Sequence, residues 1–341
     1  MQFIFRMNGV YVAFVSCFNN LNSAPAYGDL QPLHNAMSAA GIKYDIKAWD
    51  DPNVNWAVYS HIILTYEIDY DTCIDNFLVW LRRMQSLQGP KFFNSFEIVL
   101  WNYHKKYLLE LEQQGIRLPK TVFLHDVDAD LRPEVLGEKL KAFQKTNKDS
   151  VEVVVKNVVG AGGTSVWRSC LKKSSSGYYV LEAKDLLKLQ EQLLYREGKH
   201  GVLVQEFLPS ILTVGEWSLI YFNKQFSHAI IKKTSSSSSK VVEAEQDGND
   251  KSSNSGSEFR VQNAYGGSFI PVPQENVPKN LVQFADSVLA KVSEPLLFAR
   301  VDIVMSEDEE PCLMELEVLD AAVFLTEPVH GERYLKAILS M

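Results

Sequence analysis

Four cysteines in 341 residues, Cys17, Cys73, Cys170 and Cys312, stand far apart in apolar runs, and no two have CxxC spacing. That excludes a zinc knuckle or a disulfide scaffold as the organising device and fits reduced thiols in the cytoplasm. Positive charge is scarce too. Lysine and arginine number 34 against 42 acids, a net charge of −8, so nucleic acid and anionic membranes, which reward a basic surface, are excluded as main partners. A local basic pocket stays open. Long hydrophobic runs are missing: the opening MQFIFRMNGVYVAFVSCF is broken by Arg6, Asn8 and Gly9, is too short to span a bilayer and has no cleavage site. Val10 to Cys17 reads instead as a buried first strand, and Met7 is a second candidate start. No GxGxxG follows that strand, no Walker A motif occurs anywhere, and no Ser-His-Asp or Cys-His arrangement is visible.

What is present is a 46% hydrophobic chain, enough for two or three domains around real cores. From Val10 to Pro119, apolar strands alternate with amphipathic helices, which predicts a small parallel sheet covered on both faces. Gly41 is placed to end the first helix, and Asp50 to Asn53 form a turn cluster. Glu97 to Gln113 reads as one helix carrying Lys105 and Lys106. Further on come helices over Pro133–Thr146, Asp185–Glu197 and Pro278–Val292, and a hairpin over residues 215–233 turning at Asn223-Lys224. Thr234 to Ser257, with its SSSSS run and almost nothing apolar, is expected to be a disordered insertion, followed by a strand-like EFRVQ. The expected domains are 1–119, 120–205 and 206–341, the last interrupted at 234–257.

Two stretches carry the chemistry. In VEVVVKNVVGAGGTSVWRS, residues 151–169, a strand ends in Lys156 and turns through Gly160, Gly162 and Gly163, glycines that let backbone N–H groups approach an anion. The same pattern also fits a plain hairpin turn. In residues 297–318, Arg300 and Asp302 share one face of a strand, and Glu315 and Glu317 share one face of the next. The acidic loop Ser306–Glu310 joins them, and a suitable register brings Asp302 beside both glutamates. Three carboxylates so close repel one another unless a cation sits among them, and an all-oxygen set suits Mg²⁺ or Mn²⁺. The competing explanation is an amphipathic hairpin with its acids in water.

Taken in order, WDDP, FFNS, LWNYHKKYL, VVVK with GAGG, VQEFLPS, GEWSLIYFNKQFSHAIIKK, EFRVQNAYGG, ARVD and LMELE resemble the ATP-grasp superfamily, in its glutathione-synthetase-like, RimK-type branch and the group of the cycloserine-biosynthesis cyclo-ligase. The resemblance implies an α/β chain, α+β in its C-terminal part. A parallel pre-ATP-grasp domain would precede two ATP-grasp subdomains that clamp a nucleotide. It implies that Lys105 and Lys156 contact ATP phosphates under the Gly160–Gly163 turn. It implies that Gln205, Glu206, Phe207 and Leu208 read adenine and that Glu216 lies near the ribose. By the same resemblance Asp302, Glu315 and Glu317 hold Mg²⁺ or Mn²⁺, Arg300 and Arg260 face the reacting phosphoryl and acyl groups, and His228 is a candidate substrate contact or base. The implied reaction is ATP-dependent ligation of a small carboxylate to an amine through an acyl phosphate, giving ADP and phosphate. A small-molecule kinase and a catalytically silent nucleotide-binding protein are the alternatives, and a homodimer stays open. The chain departs from relatives at Asp320-Ala321, where proline is common, at Asn157, and at Tyr66 to Tyr70, which puts the substrate in question more than the nucleotide.

Overall fold

The computed structural model describes residues 9–22, 30–64, 69–144, 149–175, 177–194, 200–235 and 258–341. Met7, Tyr66 to Ile68 and residues 236–257 of the expected insertion lie outside these.

The first third of the chain runs β1 (Tyr11–Ser16), α1 (Phe18–Asn22), α2 (Gln31–Ala39), β2 (Lys43–Ala48), β3 (His61–Leu64), α3 (Ile74–Gln85), β4 (Lys91–Phe93), α4 (Phe96–Asn102) and α5 (Tyr107–Gln113). Its strands form a parallel sheet in the order β2-β1-β3-β4. The single helix expected over Glu97 to Gln113 is two. At Lys105 the backbone N–H leaves the helical pattern and donates to Val158 O at 2.7 Å, so the chain breaks there and delivers a lysine to another sheet.

A second sheet follows, built from β5 (Thr121–Leu124), α6 (Val127–Asp130), α7 (Pro133–Leu140), β6 (Ser150–Asn157), β7 (Trp167–Lys173), β8 (Tyr179–Val180), α8 (Ala183–Leu194) and β9 (Val202–Glu206). It is antiparallel, in the order β5-β9-β6-β7-β8. The third sheet, β12-β11-β10-β13-β14, is antiparallel as well. Its elements are α9 (Ser210–Thr213), β10 (Glu216–Phe222), β11 (Gln225–Lys233), β12 (Ser268–Val272), α10 (Lys279–Leu289), β13 (Phe298–Met305), β14 (Pro311–Glu317) and α11 (Pro328–Ser340). The β10–β11 turn uses positive φ at Asn223 and Lys224, the backbone of a tight hairpin. EFRVQ is not a strand. The Glu258 carboxylate accepts the N–H groups of Phe259 and Arg260, which holds this stretch as a loop.

The first and third sheets share their cores. Val12, Phe14, Leu33 and Met37 pack with Phe222, Phe298, Tyr334 and Ile338, while Val15, Phe77 and Leu108 join a cluster with Leu219, Val301 and Leu316. Helix α11 lies so close to α2 that a Cβ on Gly331 would sit 2.2 Å from the Pro32 carbonyl carbon, an approach only glycine permits. The second sheet has a core largely its own, from Val122, Val153, Val155, Leu189 and Val204.

Candidate active site

Strand β14 is a sheet edge, and its outer backbone groups have to be satisfied by something other than a neighbouring strand. Asn102 Nδ2 donates to Leu316 O at 2.7 Å, and its Oδ1 accepts the Val318 N–H at 3.2 Å. The Leu316 N–H donates to the Tyr107 hydroxyl at 2.9 Å. Asn94 does the same one step further, donating to Val318 O and Phe298 O and accepting from Leu297 N–H. With Leu316 and Val318 pinned inward, alternation turns Glu315 and Glu317 to the other face. Register then sets Asp302 opposite Glu315 and Arg300 opposite Glu317.

Asp302, Glu315 and Glu317 each offer an oxygen, and these atoms lie within 4.8 Å of one another. Each carboxylate already meets a cation. Asp302, 1% exposed, accepts from Ser218 Oγ at 2.6 Å, from Lys232 Nζ at 2.9 Å and from Arg300 Nη2 at 2.9 Å. Glu317 pairs with Arg300 at 2.6 Å, Glu315 with Lys105 at 3.0 Å, and Glu216 with Lys232 at 2.9 Å. Burial alone would raise the Asp302 pKa, but Arg300 and Lys232 overcome it and hold the carboxyl well below the usual range. Glu317 shares Arg300 with Asp302, so burial and the repulsion of Glu315 and Asp302 push it up to about 7. Among the described residues Lys156 has no acid within ion-pair distance; its ammonium lies 3.5 Å from Met314 O, and burial lowers its pKa to about 8.

The glycine turn closes over this cluster. Lys105 Nζ donates to Gly160 O at 2.5 Å, the Ala161 N–H donates to Asp71 at 3.1 Å, and Tyr265 OH donates to Gly163 O at 3.3 Å. Gly163 has φ +75°, and a Cβ there would meet Gln262 Oε1 at 2.8 Å. All three sheets thus meet at one place.

Residues 12–94 match the family model described as D-cycloserine synthetase DcsG, N-terminal domain. The cycloserine biosynthesis protein DcsG of Streptomyces lavendulae is 23% identical over 319 residues, 93% of this chain and 94% of that protein. The crystal structure of D-cycloserine synthetase DcsG superposes with a TM-score of 0.73 at 19% identity, covering 97% of this chain and 99% of that one. A structure of the ATP-grasp ligase PsnB, complexed with Mg, ADP and a phosphomimetic variant of a minimal precursor, gives 0.55 at 14% identity, over 96% and 97% of the two chains. This chain has the ATP-grasp fold. Within that fold it resembles the cycloserine synthetase group, as its motifs indicate.

On the ATP-grasp frame, Lys105, Lys156, Glu216, Arg300, Asp302, Glu315 and Glu317 converge, with Gly160, Gly162 and Gly163 above them. The β9 end is placed differently from a free adenine reader at two of its four residues. Gln205, 1% exposed, spends its amide on Thr121 Oγ at 2.9 Å, and the Phe207 N–H donates to Glu152 O at 2.9 Å. Both hold sheet two together, and so does Glu206, whose N–H donates to Lys120 O at 2.8 Å and whose carboxylate accepts the Lys120 N–H at 3.4 Å, which leaves the Leu208 N–H as the one without a partner among the described residues. Arg260 pairs with Glu258 at 2.8 Å and stacks 3.4 Å above the ring of Tyr265, whose hydroxyl bonds the glycine turn. His228 is a packing residue. It is 4% exposed, stacked 3.8 Å from His330, with Nε2 against the carbonyls of Val323 and Phe324 and Nδ1 against Ser227. No ring nitrogen is left for a substrate.

Sequence reading gave no role to Lys232, Ser218 or Asp71, and marked Asp320 and Tyr70 only as departures from relatives. Ser218 was reachable, because alternation puts it on the Glu216 face; Lys232 was not, because the Asn223-Lys224 turn alone would set Ile231 opposite Glu216 and a bulge between Ile220 and Tyr221 shifts the register to Lys232. The others lie in loops, where no period applies.

Proposed function

We propose that the chain is an ATP-dependent ligase that joins a small carboxylate, an amino acid or short peptide, to an amine through an acyl phosphate. The observation that carries this is the convergence of Lys105, Lys156, Lys232 and Arg300 on three carboxylates within 4.8 Å of one another, beneath a glycine turn. Among the described residues no side chain at the site is arranged as a nucleophile, so positioning and charge neutralisation have to supply the rate.

The all-oxygen set Asp302, Glu315 and Glu317 fits a hard divalent ion, and Mg²⁺ held there would neutralise charge on the nucleotide phosphates. The residues of the chain do the rest. Lys105 reaches both Glu315 and the Gly160 carbonyl, so it can pass from the carboxylate to a phosphate oxygen without leaving the turn. Lys156 is unpaired from any acid among the described residues and can do the same. Arg300 presents a planar fork suited to the transferring phosphoryl group. Leu208, two residues past Glu206, has no N–H partner among the described residues and is the peptide available to the adenine edge.

The test is MgATP turnover with hydroxylamine across a panel of carboxylates. Hydroxamate with ADP is expected, and Glu315→Gln should lower it by at least about 100-fold, as loss of a preorganised charge partner does. ADP with a phosphorylated product and no hydroxamate would instead identify a kinase.

A further inference from the structure

Past β14 the chain turns back over the face of the third sheet that carries the site. Paired strand residues share a face, so Glu317, Arg300, Ile220 and His228 stand in one row across β14, β13, β10 and β11. Residues 321–325, which are neither helix nor strand, cross that row. Ala321, Val323 and Leu325 are buried in one cluster with Ile220. Three consecutive carbonyls of the segment are taken up at two points of the row. Ala322 O accepts Arg300 Nη1 at 3.3 Å, and Val323 O and Phe324 O lie 2.9 and 3.0 Å from His228 Nε2.

These bonds fix the form of the imidazole. A carbonyl only accepts, so Nε2 carries the proton and donates to both oxygens, and Nδ1 accepts the Ser227 hydroxyl at 2.9 Å. The ring is held from above by His330, stacked at an interplanar angle of 7°. Phe324 has φ +45°, a left-handed backbone that a bulky residue adopts only where its surroundings impose it. Two carbonyls converging on one buried N–H supply that constraint. The Phe324 ring adds to it, with its centre 4.9 Å from that of Phe269 and 5.8 Å from the guanidinium carbon of Arg300.

Arg300 depends on the segment for its third anchor. Its Nε and Nη2 donate to Asp302, and Nη2 also meets Glu317, so one edge of the fork is held by acids of the third sheet. Nη1 has only Ala322 O among the described residues. A loop carbonyl fixes a guanidinium plane only as well as the loop itself is fixed. Resting on the ligase reading, we infer that His228 is a positioning residue: through the backbone of Ala322 to Phe324 it sets the plane of the Arg300 guanidinium for the transferring phosphoryl group.

The experiment uses the full chain with MgATP, hydroxylamine and the carboxylate panel. It reads ADP and hydroxamate per ATP site, the sites being counted with a non-hydrolysable ATP analogue. His228→Phe keeps a ring to stack on His330 but has no donor. Its kcat per site is expected to fall by about 10- to 100-fold, the range for a small misplacement of a group that acts in the transition state, with the KM for ATP unchanged. His228→Gln, whose amide can donate near the place of Nε2, should recover most of that loss. In an Arg300→Lys background, where the fork is already gone, His228→Phe should cost far less than it does alone. Ser227→Ala leaves the ring but removes the donor that fixes its tautomer, and should give a smaller fall in the same constant. An unchanged kcat per site in His228→Phe, or in Ser227→Ala if His228→Phe holds no ATP sites, overturns the inference and leaves the ligase standing. So does an equal fall in His228→Gln, or a His228→Phe loss that multiplies in full with that of Arg300→Lys. ADP with a phosphorylated product in place of hydroxamate overturns the ligase reading alone, since the same comparisons are then made on ADP. No ADP from any compound overturns both.

Discussion

His228 has an acid-sensitive stability written into its surroundings. Burial, and then the neighbouring His330, hold its pKa down at about 3 from an ordinary 6.5. Below pH 6.5 the unfolded chain takes up a proton that the native chain refuses, so stability is complete above that pH and is lost as pH falls from 6.5 towards 3. The histidine contributes a slope of about 1.4 kcal/mol per pH unit in that window. Urea midpoints at pH 7.5 and 5 should therefore differ, and His228→Gln should narrow the difference while lowering the midpoint at pH 7.5. A midpoint gap that is unchanged in the variant would show that the slope comes from other groups. The same residue marks a limit of sequence reading. Its place on a hairpin strand near the conserved-looking motifs of the C-terminal half gave no sign that the Val323 and Phe324 carbonyls, about a hundred positions away, would enclose it. Arg260 is a like case, because the ring it stacks on and the acid it pairs with are local but the turn they support is not.

Elements were legible where a period could be counted. Alternation over residues 297–318 put Arg300 with Asp302 and Glu315 with Glu317, but the register at the loop end would set Asp302 opposite Met314, and a bulge between Asp302 and Ile303, which no period shows, brings it opposite Glu315. The helix over Glu97 to Gln113 had a good apolar stripe, yet it breaks at Lys105, because the competing acceptor, Val158 O, comes from a different sheet. What orients β14 is not periodic either. Asn102 bonds both a carbonyl and an N–H of the edge strand, so Asn102→Ala leaves two buried backbone groups unpaired, at about 1 to 3 kcal/mol each. Expected outcomes are a urea midpoint lowered by a corresponding amount and a kcat that falls further than stability explains, since Glu315 and Glu317 lose their frame. Asn102→Asp, which keeps the acceptor and the shape, should retain more of both. Full activity in Asn102→Ala would mean that Tyr107 and Asn94 hold the strand unaided.

For the whole molecule, the distribution of cores decides how it comes apart. The parallel sheet and the third sheet share two clusters and are joined again where α11 meets α2, whereas the second sheet is packed mostly on its own residues. Cooperative units follow shared burial, so the first and third sheets should exchange their amide hydrogens together, and the second sheet at a separate, lower free energy. Gly331→Ala should expose the joint. With the Pro32 backbone 2.2 Å from the added carbon, α11 has to move away, and protection should drop in β1, β10 and β13 while β6 and β9 keep theirs. The site, by contrast, draws Lys105 from the first unit, Lys156 and the glycine turn from the second, and Asp302 with Glu315 from the third sheet. A ligand that bridges them binds only the assembled form and stabilises it by mass action. A non-hydrolysable ATP analogue with Mg²⁺ should therefore bring the exchange of β6 and β9 up to that of β10 and β13, and Lys156→Ala should weaken that coupling. If the analogue protects the second sheet alone, the nucleotide is held within one unit and the three-sheet site does not operate as a whole.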